Sequence, residues 1–143
     1  MIDASSDRDK LQAFKDRGTV DFLITSHAHE DHLVFNYLFP ESKFCAHPFD
    51  GPFFQDLEAL VDCYGDMTEE DKGKWRIFLT EDCHYQPRKV DVFLQDGMIM
   101  DLGKCAMEII HTPGHTRGHC AFYFPLEKVM FTADLDLTKG GPY

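Results

Sequence analysis

The sequence predicts an α/β (α+β) protein built in layers with substantial antiparallel sheet, and two patterns carry that expectation. Short apolar strand-like runs alternate with helical spacings up to about residue 50. From Val90 onward, short β-prone runs follow one another across tight turns. Strands whose helices lie outside them must bury one face against another layer, which gives a layered architecture.

Taken in order, Met1-Ile2-Asp3 reads as the tail of a strand. Ser6 to Arg17 reads as a short helix, with Leu11 and Phe14 three apart and Gly18 as its stop. Val20 to Thr25 (VDFLIT) is a compact apolar run, as expected of a buried strand. Leu33 to Phe39 reads as an apolar helix ended by Pro40, and Lys43 to His47 as another strand.

The stretch 51–89 is rich in acidic and aromatic residues, with helical spacing in Phe53, Leu57, Leu60 and Val61 and an acidic first turn over Thr68 to Asp71. It is too small for a core of its own and reads as a helical insertion within one domain spanning 1–143. Val90 to Leu94, Met98 to Leu102, Cys105 to Ile110, Cys120 to Phe124 and Val129 to Thr132 then read as strands. Gln95-Asp96-Gly97 and Leu102-Gly103-Lys104 are turns between them.

At 43% hydrophobic residues the chain can bury a core, which excludes disorder. The formal net charge of -11 argues against broad binding to nucleic acid or anionic membrane, whose phosphates would be repelled. An anionic small molecule stays open, because bound cations can dominate a local field. No apolar run is long enough to cross a bilayer, and no signal peptide is visible. The five cysteines are odd in number and lack C-x-x-C spacing, so reduced thiols and a cytoplasmic location are expected.

Two histidine-rich segments follow predicted strands: His27-Ala28-His29-Glu30-Asp31-His32 after VDFLIT, and HTPGHTRGH (His111 to His119) after MEII. In an extended segment His27 and His29 leave on one side, and Asp31 and His32 then turn toward a neighbouring point. Imidazole with carboxylate suits zinc, and also iron or manganese. With His115 and the distant Asp134 after VMFTA, the donors suffice for two ions. His111 and His119 are expected to pack or support, His47 and His84 to lie on the surface, and Glu30 to be a solvated loop charge. Arg117 is open between an anionic substrate and a surface ion pair.

H-x-H-x-D-H, HTPGHTRGH and FTADLD, in that order, resemble the motifs of the metallo-β-lactamase superfamily, which includes glyoxalase II-like thioesterases and lactonases. The resemblance implies part of an αββα sandwich of two sheets with outer helices. It implies that His27, His29 and His115 bind one metal ion, that Asp31 and His32 bind a second, and that Asp134 bridges them. It further implies a dinuclear zinc metallohydrolase whose metal-bridging hydroxide, oriented by Asp31, attacks a small ester, thioester or lactone. The family's opening hairpin and the late histidine of its second site are not found in the sequence, so a truncated chain is expected. Two alternatives remain: a mononuclear-iron sulfur dioxygenase-like enzyme, and a non-catalytic metal-binding domain. Unpaired sheet edges leave a homodimer open.

Overall fold

The computed structural model describes residues 1–5 and 7–135. Its first sheet is parallel, in the order β1 (Phe22–Ile24), β2 (Lys43–Ala46), β3 (Val92–Phe93). Ile2 lies beside Ile24 in an isolated parallel bridge, so the Met1-Ile2-Asp3 segment runs alongside β1. The second sheet is an antiparallel meander of β4 (Ile99–Asp101), β5 (Ala106–His111), β6 (Cys120–Phe124) and β7 (Val129–Phe131). Gly103 at φ 86° makes the turn between β4 and β5, a conformation that favours glycine. The run of hairpins expected after Val90 therefore begins at β4. The strand before it pairs in parallel with β2, because the helical segment carries the chain over the sheet between them.

Alternation along the first sheet divides the interior into two clusters. Leu23, Phe44 and Ala46 pack with Phe54, Leu60, Val61 and Leu79 from the helices. Ile24 and Cys45 face the other way, against Leu94, Met107, Ile109 and Phe122. The described residues thus form three layers: helices, parallel sheet, antiparallel sheet. β7 is exposed along its length, with Val129, Met130 and Phe131 at 55%, 46% and 38%.

The helices follow local signals. α1 (Arg8–Lys15) is capped by Asp7, whose side chain accepts from the Lys10 N–H. α3 (Gly51–Gln55), α4 (Leu57–Cys63) and α5 (Glu69–Ile77) occupy the segment expected to be helical. Thr68 caps α5, which has three acids in its first turn and Lys74 and Arg76 in its last. One wide turn (Phe78–Asp82) continues α5, and residues 83–91 are irregular. Arg88 anchors that irregular stretch: its backbone N–H donates to Phe54 O at 2.7 Å and its guanidinium donates to Phe39 O at 3.0 Å. Among the described residues, no helix is long and apolar enough to cross a membrane.

The helix expected over Leu33 to Phe39 forms differently. α2 (Glu30–Leu33) starts inside the first histidine motif, and a single tight turn covers Asn36–Leu38. Between them Phe35 leaves helical geometry at ψ 16°, and its N–H donates to Ala4 O at 3.0 Å. A tertiary bond has replaced an intrahelical one.

Leu23 is fully buried at the centre of β1. Leu23→Ala should lower unfolding free energy by about 2–5 kcal/mol in urea titration. Leu126→Ala, at a 78% exposed site, should stay within about 0.5 kcal/mol.

Candidate metal centre

Parallel pairing brings the candidate site together. The Ile2 segment, β1 and β2 run in one direction, so Asp3, the 25–32 loop and the 47–50 turn all leave the sheet at one edge. The second histidine loop joins β5 to β6 and reaches the same edge. There the Cys120 N–H donates to Ser26 O at 2.9 Å, stitching the antiparallel sheet to the first motif.

At that edge His27 Nε2 lies 3.2 Å from His29 Nδ1, which lies 2.8 Å from His115 Nε2. Asp134 directs Oδ2 toward this trio, 3.5 Å from His115 Nε2 and 3.9 Å from His27 Nε2. Its Oδ1 faces away from them, 3.3 Å from His32 Nε2. Asp31 Oδ2 approaches the same His32 nitrogen at 3.6 Å, its side chain 70% exposed at the rim. Donor atoms of His27, His29 and His115 lie within 4.8 Å of one another, as do those of His27, His32 and Asp134. Five of the six residues singled out in the sequence therefore sit in these two groups, and Asp31 adjoins them at the rim through His32. A tetrahedral ion with bonds of ~2.0–2.1 Å spaces its ligands ~3.3 Å apart, close to these separations. Ala133, just before Asp134, has φ 47°, a strained backbone for alanine of the kind found at functional sites.

The hydrogen bonds around the cluster assign the tautomers. Asp3 accepts the Ser26 N–H at Oδ1 (2.8 Å) and the Ser26 hydroxyl at Oδ2 (2.7 Å). With its proton committed, Ser26 Oγ accepts from His27 Nδ1 at 3.0 Å, which leaves Nε2 bare. His32 Nδ1 donates to Asp3 Oδ2 at 2.8 Å, which turns its Nε2 toward Asp31 and Asp134. Burial, then the neighbouring imidazoles, push the His27 pKa down to about 2, and burial also lowers that of His29. His32 is opposite: burial opposes its charge, but the Asp3 bond and the nearby carboxylates outweigh that and raise its pKa.

With His27 Nε2 bare, one proton on His29 Nδ1 would have to be shared between His27 Nε2 and His115 Nε2. A cation can take a lone pair from each of the three nitrogens, so the donor set fits a metal ion.

Two supporting carboxylates were invisible in the motifs. Asp3, expected only as a strand end, orients His27 through Ser26 and His32 directly. Asp50 is completely buried and links both histidine loops. Its Oδ2 accepts the Ala28 N–H (3.0 Å) and the Thr116 hydroxyl (2.7 Å), and its Oδ1 accepts the Gly118 N–H (2.7 Å). A Cβ on Gly118 would lie 2.6 Å from Asp50 Cγ, so only glycine allows this approach. The one available signal was position, since Asp50 follows strand KFCA as the motifs follow theirs.

The expectations for His47 and Glu30 need correction. His47 is buried and stacks on His111 at 4.0 Å, because the 47–50 turn folds under the second loop. Glu30 accepts a hydrogen bond from the Tyr64 hydroxyl, since the helical segment packs over the motif. Arg117 lies over the Phe49 ring at 5.2 Å. His119 is fully buried with Nδ1 2.7 Å from Thr112 Oγ1, its ring 5.1 Å from that of His27.

Asp50→Ala would strand two buried N–H groups at about 1–3 kcal/mol each. It should also weaken zinc binding by about 10–100-fold, measured by chelator competition. Gly118→Ala should match it in direction, while Asp50→Asn, which keeps one acceptor, should fall between.

The profile of the metallo-beta-lactamase superfamily matches residues 1–142. The chain is 29% identical over 135 residues to a hydroxyacylglutathione hydrolase of Mesorhizobium japonicum, covering 94% of this chain and 41% of that protein. It is 28% identical over 142 residues to an uncharacterised protein of Aquifex aeolicus, covering 98% of this chain and 60% of the other. It thus spans less than two thirds of the length of these relatives. Among solved structures, TTHA1623 in a di-iron-bound form superposes with a TM-score of 0.66 at 24% identity, over 99% of this chain and 64% of that one. The BLEG-1 B3 metallo-beta-lactamase superposes with a TM-score of 0.66 at 20% identity, over 96% of this chain and 62% of that one, and both likenesses concern the fold. A matching profile along nearly the whole sequence, with donors gathered at one sheet edge, makes this chain a member of the metallo-beta-lactamase superfamily, whose members are typically hydrolases.

Proposed function

We propose that this chain carries the metal centre of a hydrolase acting on a small-molecule ester, thioester or lactone, with two divalent ions, zinc in the first instance. His27, His29 and His115 would hold one ion, Asp31 and His32 the other, and Asp134 would bridge them. The observation that carries this proposal is the Asp134 carboxylate, with one oxygen toward the His27–His29–His115 trio and the other toward His32. Among the three substrate types, the 29% identity to a hydroxyacylglutathione hydrolase favours a thioester.

When bound, two such ions lower the pKa of water and polarise a carbonyl. The rest falls to the protein. Ser26 takes the Nδ1 proton of His27 and leaves its Nε2 free, as a metal ligand requires, and Asp3 holds His32 with its Nε2 toward the site. Asp31, the most exposed of the candidate ligands, sits at the open side, where its carboxylate would orient the attacking water and accept its proton. The buried floor under Ala28 and His27 excludes solvent from behind and strengthens the field at the reacting carbonyl.

Metal analysis of the purified chain followed by a panel of thioesters, esters and lactones tests this. The expected result is close to two zinc ions per chain with turnover of at least one thioester. His29→Ala and Asp134→Ala should each lose metal and reduce turnover by 100-fold or more, roughly the mutational cost of removing a key electrostatic group. One tightly held iron, no hydrolysis and oxygen uptake with glutathione persulfide would instead establish the sulfur dioxygenase-like alternative. Bound metal with neither activity would establish a non-catalytic domain.

A further inference from the structure

His27 and His32 are oriented by the hydrogen bonds they donate to Ser26 and Asp3, but among the described residues His29 has no such partner. Among the described residues, the only hydrogen-bond contacts of its ring are to His27 and His115, both inside the cluster. What touches it from outside is Tyr64. The Tyr64 ring stacks on His29 with centroids 5.7 Å apart and planes 26° apart. It also stacks on Trp75 at 4.5 Å and 15°, so a column of rings runs from α5 to the first motif. The Tyr64 hydroxyl donates to Glu30 Oε2, on the residue between His29 and Asp31. Tyr64 itself is fixed as the C-terminal cap of α4, its N–H donating to Val61 O.

We propose that Tyr64 is the positioning residue for His29, with its ring holding the imidazole plane and its hydroxyl holding the backbone through Glu30. The inference rests on the reading of His29 as a metal ligand. A ligating histidine is ordinarily held by a hydrogen-bonded partner on its far nitrogen. Here a stacked ring takes that place, because the helical segment covers the motif with aromatic surface where His27 has a hydroxyl and His32 a carboxylate. The segment 51–82 thereby becomes a brace for the centre, coupled to it through the chain's single tryptophan.

That tryptophan supplies the readout. Zinc does not quench fluorescence, so a change in Trp75 emission on adding zinc to the 143-residue chain reports movement along the column. The unaltered chain should show such a change. Tyr64→Leu should bind zinc about 10–100-fold more weakly by chelator competition and lose the emission response. Tyr64→Phe, which keeps the ring, should retain the response with intermediate affinity, and Glu30→Gln, which weakens the same hydrogen bond, should reproduce its affinity. If Tyr64→Leu does not fold, the last two variants decide. Wild-type affinity and response in Tyr64→Leu, or wild-type affinity in both Tyr64→Phe and Glu30→Gln, would overturn this inference alone. Failure of the unaltered chain to bind zinc would overturn both it and the reading of the site beneath it.

Discussion

The buried carboxylate of Asp50 is the contact on which the candidate centre depends. It stands at the end of β2, yet its partners are in the first histidine loop (Ala28) and the second (Thr116 and Gly118). A carboxylate removed from water is stable only when donors satisfy it, and the Ala28 and Gly118 N–H groups would be stranded without it. The constraint is mutual: the charge requires both loops, and the loops owe their relative position to the charge. The closeness of His115 to His29 follows from this. So does the glycine at 118, where any side chain would enter the space that Asp50 fills.

Around that anchor the protein prepares its donors by controlling protons. Asp3 holds Ser26 and His32, and Ser26 in turn holds His27, so both imidazoles turn their Nε2 atoms toward the site and that of His27 is bare. Burial keeps His27 uncharged. Asp31 and Asp134 sit nearer solvent than the imidazoles. The centre therefore has a dry, nitrogen-rich floor and an oxygen-rich mouth. That gradient suits an ion that must be held from below and remain open to substrate above.

The supporting shell is drawn from three directions: the first chain segment through Asp3, the end of β2 through Asp50, and the helical segment through Tyr64. The first two leave the parallel sheet at one edge, and the third comes from the helical layer. This explains why a small centre calls for most of the chain, and why the helices bear on the site as well as on the core they share with β1 and β2.

Much of this was legible in the sequence. The spacing of His27, His29, Asp31 and His32, the second loop with His115, and Asp134 after an apolar strand pointed to the candidate donors, because ligand chemistry and the period of an extended chain are local properties. Strand positions were legible to within a residue or two for the same reason. The tertiary structure alone decided what holds the donors. Asp3, Asp50, Glu30 and Tyr64 look locally like a strand end, a turn acid, a solvated charge and a helix end. Their roles come from partners 22 to 68 residues away in the sequence. Such partners are set by parallel register, by the reversal between β5 and β6, and by where the helices land, and none of these leaves a periodic trace in the residues themselves.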